Sequence, residues 1–518
     1  MSGYESIVIG GGHNGLTAAA YLAKRGRKVL VLEKRDQLGG LAASDEFFPG
    51  YRDGGLLWDT SHVRDEVISA LNLEDHGLTR EAASPPIFVP DSKRGFYLSD
   101  NANNTAEEIA RFSSHDAEAY VAWTVFFKRI CGVMANVIAE LPNSVEALSF
   151  GELWGLARKG MAMRRLGKAD MLEIMRIMVM CNADYLGEHF GTERLKAALA
   201  APAHFATFTG PWSPGSTSLL VLQKCSAKPA LVGGGPALIS ALKSAAEAYG
   251  VEMRCNSEVK QIHLVKGRVS AVTLAGGERI EADQILSSLD PKSTFLNLLP
   301  PAALNMNLEA AVNNYRMRGT TARINLALDH PLTFACRPDD SPAYARIVQD
   351  IDSLERAFDP VKYGRFSEKP TLEIHVPSVE DDSCSPPGCT SVSILAHFAP
   401  YDLRAGWSEE KKNALGDAVV RVLTRYAPEV KGHIVARRVQ TPVDLEAAYG
   451  LSGGHLHHGE HALDQLVVRP TMDCNGYHTP IQGLWLCGSS SRPGGGLTCM
   501  PGYRAARATL EKPIPAPI

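Results

Sequence analysis

The chain has 518 residues, 45% of them hydrophobic, with 53 basic against 57 acidic side chains and a formal charge of −4. That length exceeds one hydrophobic core and predicts two or more domains. The charge balance argues against a nucleic-acid binder, which needs a concentrated basic excess, and 46 Gly with 31 Pro is too ordinary for a collagen-like or low-complexity chain.

Ten cysteines run from Cys131 to Cys499 without a C-x-x-C pair. Reduced thiols in a cytoplasmic protein are expected, and neither a zinc site nor a disulfide framework is indicated. The N-terminus lacks the features of a secretory leader, and no apolar run reaches the length of a membrane span.

In chain order, Ser6–Ile9 reads as a buried parallel strand and runs into Gly10-Gly11-Gly12-His13-Asn14-Gly15. An alanine-rich helical pattern follows over 16–24, then a second strand, Lys28–Leu32, ending at Glu33. This order of strand, glycine turn, helix, strand and acid is the context in which G-x-G-x-x-G signifies a dinucleotide site. Gly10 permits the turn, Gly12 lets the backbone approach a pyrophosphate and Gly15 lets helix and strand pack closely. The helix N-terminus offers unpaired N–H groups to the diphosphate. Glu33 is placed to bind an adenosine ribose and disfavours a 2′-phosphate.

The basic stretch Lys34-Arg35 and the doublet Gly39-Gly40, followed by Leu41, extend the cradle along a longer cofactor. Near the C-terminus, Gly483–Gly488 reads as another buried strand, and Arg492–Thr498, with Gly494, Gly495 and Gly496, opens a helix over 502–511. A second glycine-rich helix N-terminus suits the flavin end of FAD, so FAD is favoured over NAD.

The N-terminal fingerprint, Gly39-Gly40-Leu41 and the C-terminal run GLWLCGSSSRPGGGLTCMPGYRAA resemble the phytoene desaturase-related FAD-dependent oxidoreductases. The segments LEIHVPSVEDD, APYDL and GLSGGHLHHGEHALDQ are most similar to the branch of pyridine nucleotide-disulphide oxidoreductase domain-containing protein 2. The resemblance covers essentially the whole chain. It implies an α/β fold, with a Rossmann-like FAD-binding domain and a discontinuous mixed α/β substrate domain. It also implies that Glu258-Val259 lays backbone against the adenine. Motif and resemblance together assign cofactor contacts to Gly10, Gly12, His13, Asn14, Gly15, Glu33, Lys34, Gly39, Gly40, Leu41, Val259, Gly488, Ser489, Gly495, Gly496, Leu497 and Thr498. Two positions depart from the family pattern. Cys499-Met500 replaces small residues, and Gly488-Ser489 stands where many relatives have Gly-Asp.

A disulphide reductase needs a second nucleotide fold and a redox cysteine pair after the first unit, yet no cysteine precedes Cys131. Cys384 and Cys389 flank a Ser-Pro-Pro-Gly turn and read as loop cysteines. The cofactor domain is expected over 1–75, 215–295 and 470–518, with a helical substrate region over 76–214 and a substrate domain over 296–469. Residues 254–285 alternate as antiparallel strands, with turns at Lys266-Gly267 and Ala275-Gly276-Gly277. The tail PIPAPI is expected to be disordered.

The segment 158–180 holds six methionines with Arg158, Lys159, Arg164, Arg165 and Lys168. It reads as a core-packed helix, a lipophilic tunnel or partner surface, or a peripheral membrane contact. Four histidines fall within seven residues at His455, His457, His458 and His461. Alternating faces and the lack of a nearby cysteine or acidic cluster to complete a shell argue against a metal. The resemblance singles out His458-Gly459, making His458 the candidate for substrate-side proton transfer, with a structural role the alternative. His62 and Asp290-Pro291 have sufficient explanations in capping and a turn.

The function expected is hydride transfer between FAD and a lipophilic small molecule in a desaturation, saturation or isomerisation, with reoxidation by O2 or a quinone and no tightly bound NAD(P)H. An amine or alcohol oxidase, and a flavoprotein of mainly interaction role with structural FAD, are the alternatives.

Overall fold

The computed structural model describes residues 3–139, 154, 160–161, 164, 167–225, 227–466 and 468–511. Strand β1 (Tyr4–Ile9) lies at the centre of a parallel sheet, between β2 (Val29–Leu32) and Arg279–Ser287. Glu252–Arg254 extends the sheet beyond β2, and Leu484–Leu486 extends it beyond Ser287, so residues from both ends of the chain share one sheet. Side-chain alternation divides its apolar residues between two cores. Val8, Val29, Val31 and Leu286 point to one face, and Ile7, Ile9, Leu30, Leu32 and Ile285 to the other.

The first face is covered by helix α1 (His13–Lys24), buried on nearly every side between Gly234–Ala248 and the C-terminal helix Met500–Glu511. Its alanines permit this approach, and a Cβ on Gly502 would lie 2.1 Å from the Asn14 carbonyl oxygen. The expected hairpins form, with Val259–Val265 antiparallel to Arg268–Leu274 and the latter antiparallel to the start of Arg279–Ser287. Lys266 and Gly267 at the first turn both have positive φ, as such a turn requires.

A second sheet runs in the order 434–440, 321–328, 390–397, 372–375, 344–347, 87–89 and 96–98. One face is apolar (Ile324, Leu326, Val392, Ile394, Ile374) and packs against the helix Glu409–Leu423. The opposite face carries Arg323, Asn325, Ser393, His397, Glu373, His375 and Arg346, most of them buried. A helical layer with Trp123, Phe127, Tyr185 and Phe190 at its centre completes the fold, and Ser216–Lys224 packs into it through Leu219, Leu220 and Val221.

In the methionine-rich segment, the helix Lys168–Ile177 buries Ile174 and Ile177, and Met178 and Met180 pack partly on the same core. Met161, Leu172, Met175 and Val179 stay exposed. Arg158, Lys159, Met163 and Arg165, like the tail expected to be disordered, lie outside the described residues. Among the described residues, no helix is long and apolar enough to cross a membrane.

Candidate cofactor and active site

The glycine turn is shaped by contacts that only glycine allows. Gly10 has φ +94°, and a Cβ on Gly15 would fall 1.9 Å from the Gly10 carbonyl oxygen. Gly12 differs, because a Cβ there would meet nothing nearer than the Gly40 Cα at 3.9 Å. It caps α1 without any side-chain hydrogen bond, so the first N–H groups of the helix have no capping side chain to satisfy them. The Gly12 and Gly39 backbones bridge, and the Gly39 amide donates to the Gly11 carbonyl at 2.8 Å. Leu41 is buried, and its carbonyl accepts from Leu56 and Leu57.

The Glu33 carboxylate is fixed at the end of β2 by amides of Gly11 (2.7 Å) and Arg35 (2.9 Å). Val259 is buried beneath this edge, while the neighbouring Ser257 amide donates to the Glu33 carbonyl at 2.8 Å. Lys34 points elsewhere. Its ammonium donates to the Ala447 carbonyl at 3.2 Å and ties the cradle to the second sheet's domain.

The C-terminal loop closes on the same cradle. Asn14 donates to Ser489 Oγ at 3.0 Å, joining the two ends of the chain, and its own Oδ1 accepts from the Gly502 amide at 3.4 Å. Gly488 must be glycine, because a Cβ would lie 2.4 Å from the Ser288 carbonyl oxygen. Leu497 is fully buried, and Thr498 Oγ1 accepts from the Met500 amide.

The expected histidines converge on Gly494–Gly496. The Gly496 amide donates to His457 Nδ1 at 3.1 Å, a Cβ on Gly495 would press on His461, and one on Gly496 would meet nothing within 4 Å. Arg469, almost fully buried, props this region by donating to the carbonyls of Glu460 (2.9 Å) and Gly459 (3.1 Å). His458 has φ +53° and faces His13 and Asp290. Asp290 is occupied in turn by Ser293 and Ser452.

From the loop, a row of rings leads to the second sheet. His457 stacks on His461 (5.2 Å between centroids) and meets Phe205 (5.6 Å), which meets His397 (5.6 Å). Beyond it, Arg346 pairs with Glu373 at 2.6 Å, and Trp58 packs on His375 at 5.3 Å.

Among the described residues, many buried polar atoms here have no hydrogen-bond partner. His13 Nε2, His457 Nε2, His458 Nδ1, His461 Nε2, Ser490 Oγ and Ser491 Oγ are among them, as are both ring nitrogens of His397. Buried polar atoms are almost always satisfied. An orphan set around a loop whose Gly496 opens on free space therefore fits a bound polar group. The open face at Gly12 fits the same group's phosphates.

Comparison with known proteins agrees with this geometry. Residues 8–65 match the model of an NAD(P)-binding Rossmann-like domain. The rat pyridine nucleotide-disulfide oxidoreductase domain-containing protein 2 is 32% identical over 98% of this chain and 93% of its own length. The chain belongs to that protein's family, within the phytoene desaturase-related oxidoreductases. A limonene dehydrogenase component from Castellaniella defragrans is 27% identical over 98% of this chain and 94% of its own length. The phytoene desaturase (lycopene-forming) of Pseudescherichia vulneris is 26% identical over 98% of both chains. Among solved structures, putrescine oxidase bound to putrescine superposes with a TM-score of 0.57 at 14% identity, covering 98% of this chain and 99% of that one, a likeness of fold.

In this oxidoreductase, the open backbone at Gly12 and the orphan set near Gly496 fit a dinucleotide or flavin cofactor. Nothing in the sequence singles out His397. A single histidine at the end of an apolar strand carries no pattern, and only the fold brings it to Phe205 and His457. The same holds for Arg469.

The histidines of this region are held neutral. Burial, aided by His458, pushes His13 down to about 4, and burial pushes His204, His397, His455 and His457 down to about 3. In the unfolded chain these imidazoles bind protons near their ordinary value of 6.5. Between that value and about 3 the unfolded state therefore holds more protons, so stability is full above this window and is lost as pH falls through it. Thermal melts are expected to show a falling midpoint from about pH 7 to about pH 5. A constant midpoint across that range would contradict the assignment.

Proposed function

We propose that the protein is an FAD-dependent oxidoreductase that exchanges hydride with a carbon of a largely apolar or conjugated small molecule bearing one polar end. The observation that carries this reading is the orphan set of His13, His457, His458 and the serines at 490 and 491, aligned with the open glycines at 12 and 496. When bound, FAD supplies the hydride acceptor, or donor, at its isoalloxazine ring.

The chain's own residues position the substrate. Phe205 and Trp58 offer apolar faces, while His397 and the Arg346–Glu373 pair offer polar groups at the second sheet. His397 is neutral at physiological pH, so it can donate or accept a hydrogen bond without presenting a charge. His458 faces His13 and Asp290, and its buried, unpartnered Nδ1 is the proposed hydrogen-bonding and proton-transfer group toward the substrate. Desaturase and dehydrogenase names among the relatives support the apolar part of the substrate.

Reoxidation by a quinone or by O2 completes the cycle. The test is to photoreduce the loaded protein without air and then add an acceptor. Slow recovery in oxygenated buffer with rapid recovery on adding a soluble quinone is expected. Recovery within seconds in oxygen would favour an amine or alcohol oxidase, and no recovery with either would point to a structural cofactor.

A further inference from the structure

A cleft of about 610 Å³ opens at one end of the second sheet, between the helix Ile351–Phe358 on one side and the end of the helix Glu409–Leu423 on the other. None of its lining residues belongs to the first sheet or to the cofactor cradle.

Six basic side chains, Arg356, Arg365, Lys369, Arg404, Lys411 and Arg425, line it against one acidic side chain, Glu368. This local excess lies in a chain of net charge −4. Two of the six are engaged: Arg356 reaches Asp352 at 3.7 Å, and the Lys411 ammonium donates to the carbonyls of Arg404 (3.1 Å) and Gly406 (2.8 Å). Arg365, Lys369, Arg404 and Arg425 form no ion pair with any described carboxylate. A solvated basic surface would spread such charges over a convex face. Here the four exposed cations surround a concavity, where their summed positive potential favours an anion.

Part of the floor is apolar and fixed. Leu354 and Tyr426 are buried, and Phe366 stacks on Trp407 at 5.8 Å with an 18° interplanar angle. The Arg404 amide donates to the Gly364 carbonyl at 2.7 Å, and the Ser367 amide to the Phe398 carbonyl at 2.9 Å, so the loops bearing the cations are tied down. We infer that this cleft binds a nucleoside di- or triphosphate, with the phosphates among the four unpaired cations and the base on the apolar floor. The volume falls within the range of small-molecule sites. A simple inorganic anion would leave the apolar floor unused.

The experiment is calorimetric titration of the full-length, FAD-loaded protein, whose dinucleotide cradle is filled, with ATP, ADP, pyrophosphate and orthophosphate at low and high salt. One ATP or ADP per chain is expected, with affinity falling as salt rises. The charge-reversal pairs Arg365→Glu/Arg404→Glu and Lys369→Glu/Arg425→Glu, on different segments of the wall, should each weaken nucleotide binding at least about tenfold while the visible flavin spectrum stays unchanged. Orthophosphate should bind at least about tenfold more weakly than ATP. No nucleotide binding at millimolar concentration, or unchanged affinity in both charge-reversed proteins, would overturn the site. Pyrophosphate binding as tightly as ATP would overturn the nucleoside assignment. Because the readout is binding, its failure is distinct from failure of the hydride-transfer reading.

Discussion

Gly12→Ala is expected to yield a folded protein that has lost its flavin. Gly12 has φ −74° and ψ 176°, a backbone conformation open to any residue, and the added Cβ makes only an ordinary contact with Gly40. Its methyl nevertheless occupies the space in front of the α1 N–H groups, where the pyrophosphate must come close. The affinity for FAD should fall at least about 100-fold, or roughly 2.8 kcal/mol. Far-ultraviolet circular dichroism should match the parent while the visible absorbance of bound flavin disappears. Gly15→Ala provides the contrast, because its Cβ would collide with the Gly10 carbonyl oxygen and compromise the fold itself. A Gly12→Ala protein that retains a full complement of FAD would place the cofactor elsewhere.

Asp53→Ala should be among the most destabilising single substitutions in the chain. Asp53 and Arg323 are both fully buried and form an ion pair between the cofactor domain and the second sheet. Asp53 Oδ1 also accepts from the amides of Asp45 (3.0 Å) and Gly55 (2.9 Å), and Oδ2 meets Arg438 at 3.2 Å. Removing the carboxylate leaves the Arg323 guanidinium in the interior without its counter-charge, an arrangement that costs about 3–5 kcal/mol. Asp53→Asn retains an acceptor for the two amides and should lose less. Replacing the buried pair together with apolar residues of similar volume should recover much of the loss. Thermal melts of these variants provide the check, and a melt of Asp53→Ala superimposable on the parent would contradict the account.

The parts legible in the sequence are those built from neighbours along the chain. The run from Ser6 to Glu33 folds as a contiguous strand, turn, helix and strand, so its motif and its structure share one address. The hairpins after Val259 and the strand Leu484–Leu486 announce themselves through alternation and flanking glycines. The row His457, Phe205 and His397 has no such signature, because three separated segments supply one ring each. Asp53 and Arg323 look like surface charges until the fold buries them against each other. Lys34 follows directly on the fingerprint and invites a phosphate role, yet the proximity of Ala447, far along the chain, claims its ammonium. The basic cleft likewise gathers ordinary arginines and lysines from several loops and helices into one concavity.

One FAD is expected to span the glycine turn at Gly12 and the loop at Gly496. The most direct measurement is the mass and stoichiometry of the cofactor released on denaturing the purified protein, with Gly12→Ala prepared in parallel. One FAD per chain is expected from the parent and almost none from the variant. Release of NAD or NADP instead, or no cofactor even after incubation with FAD, would contradict it.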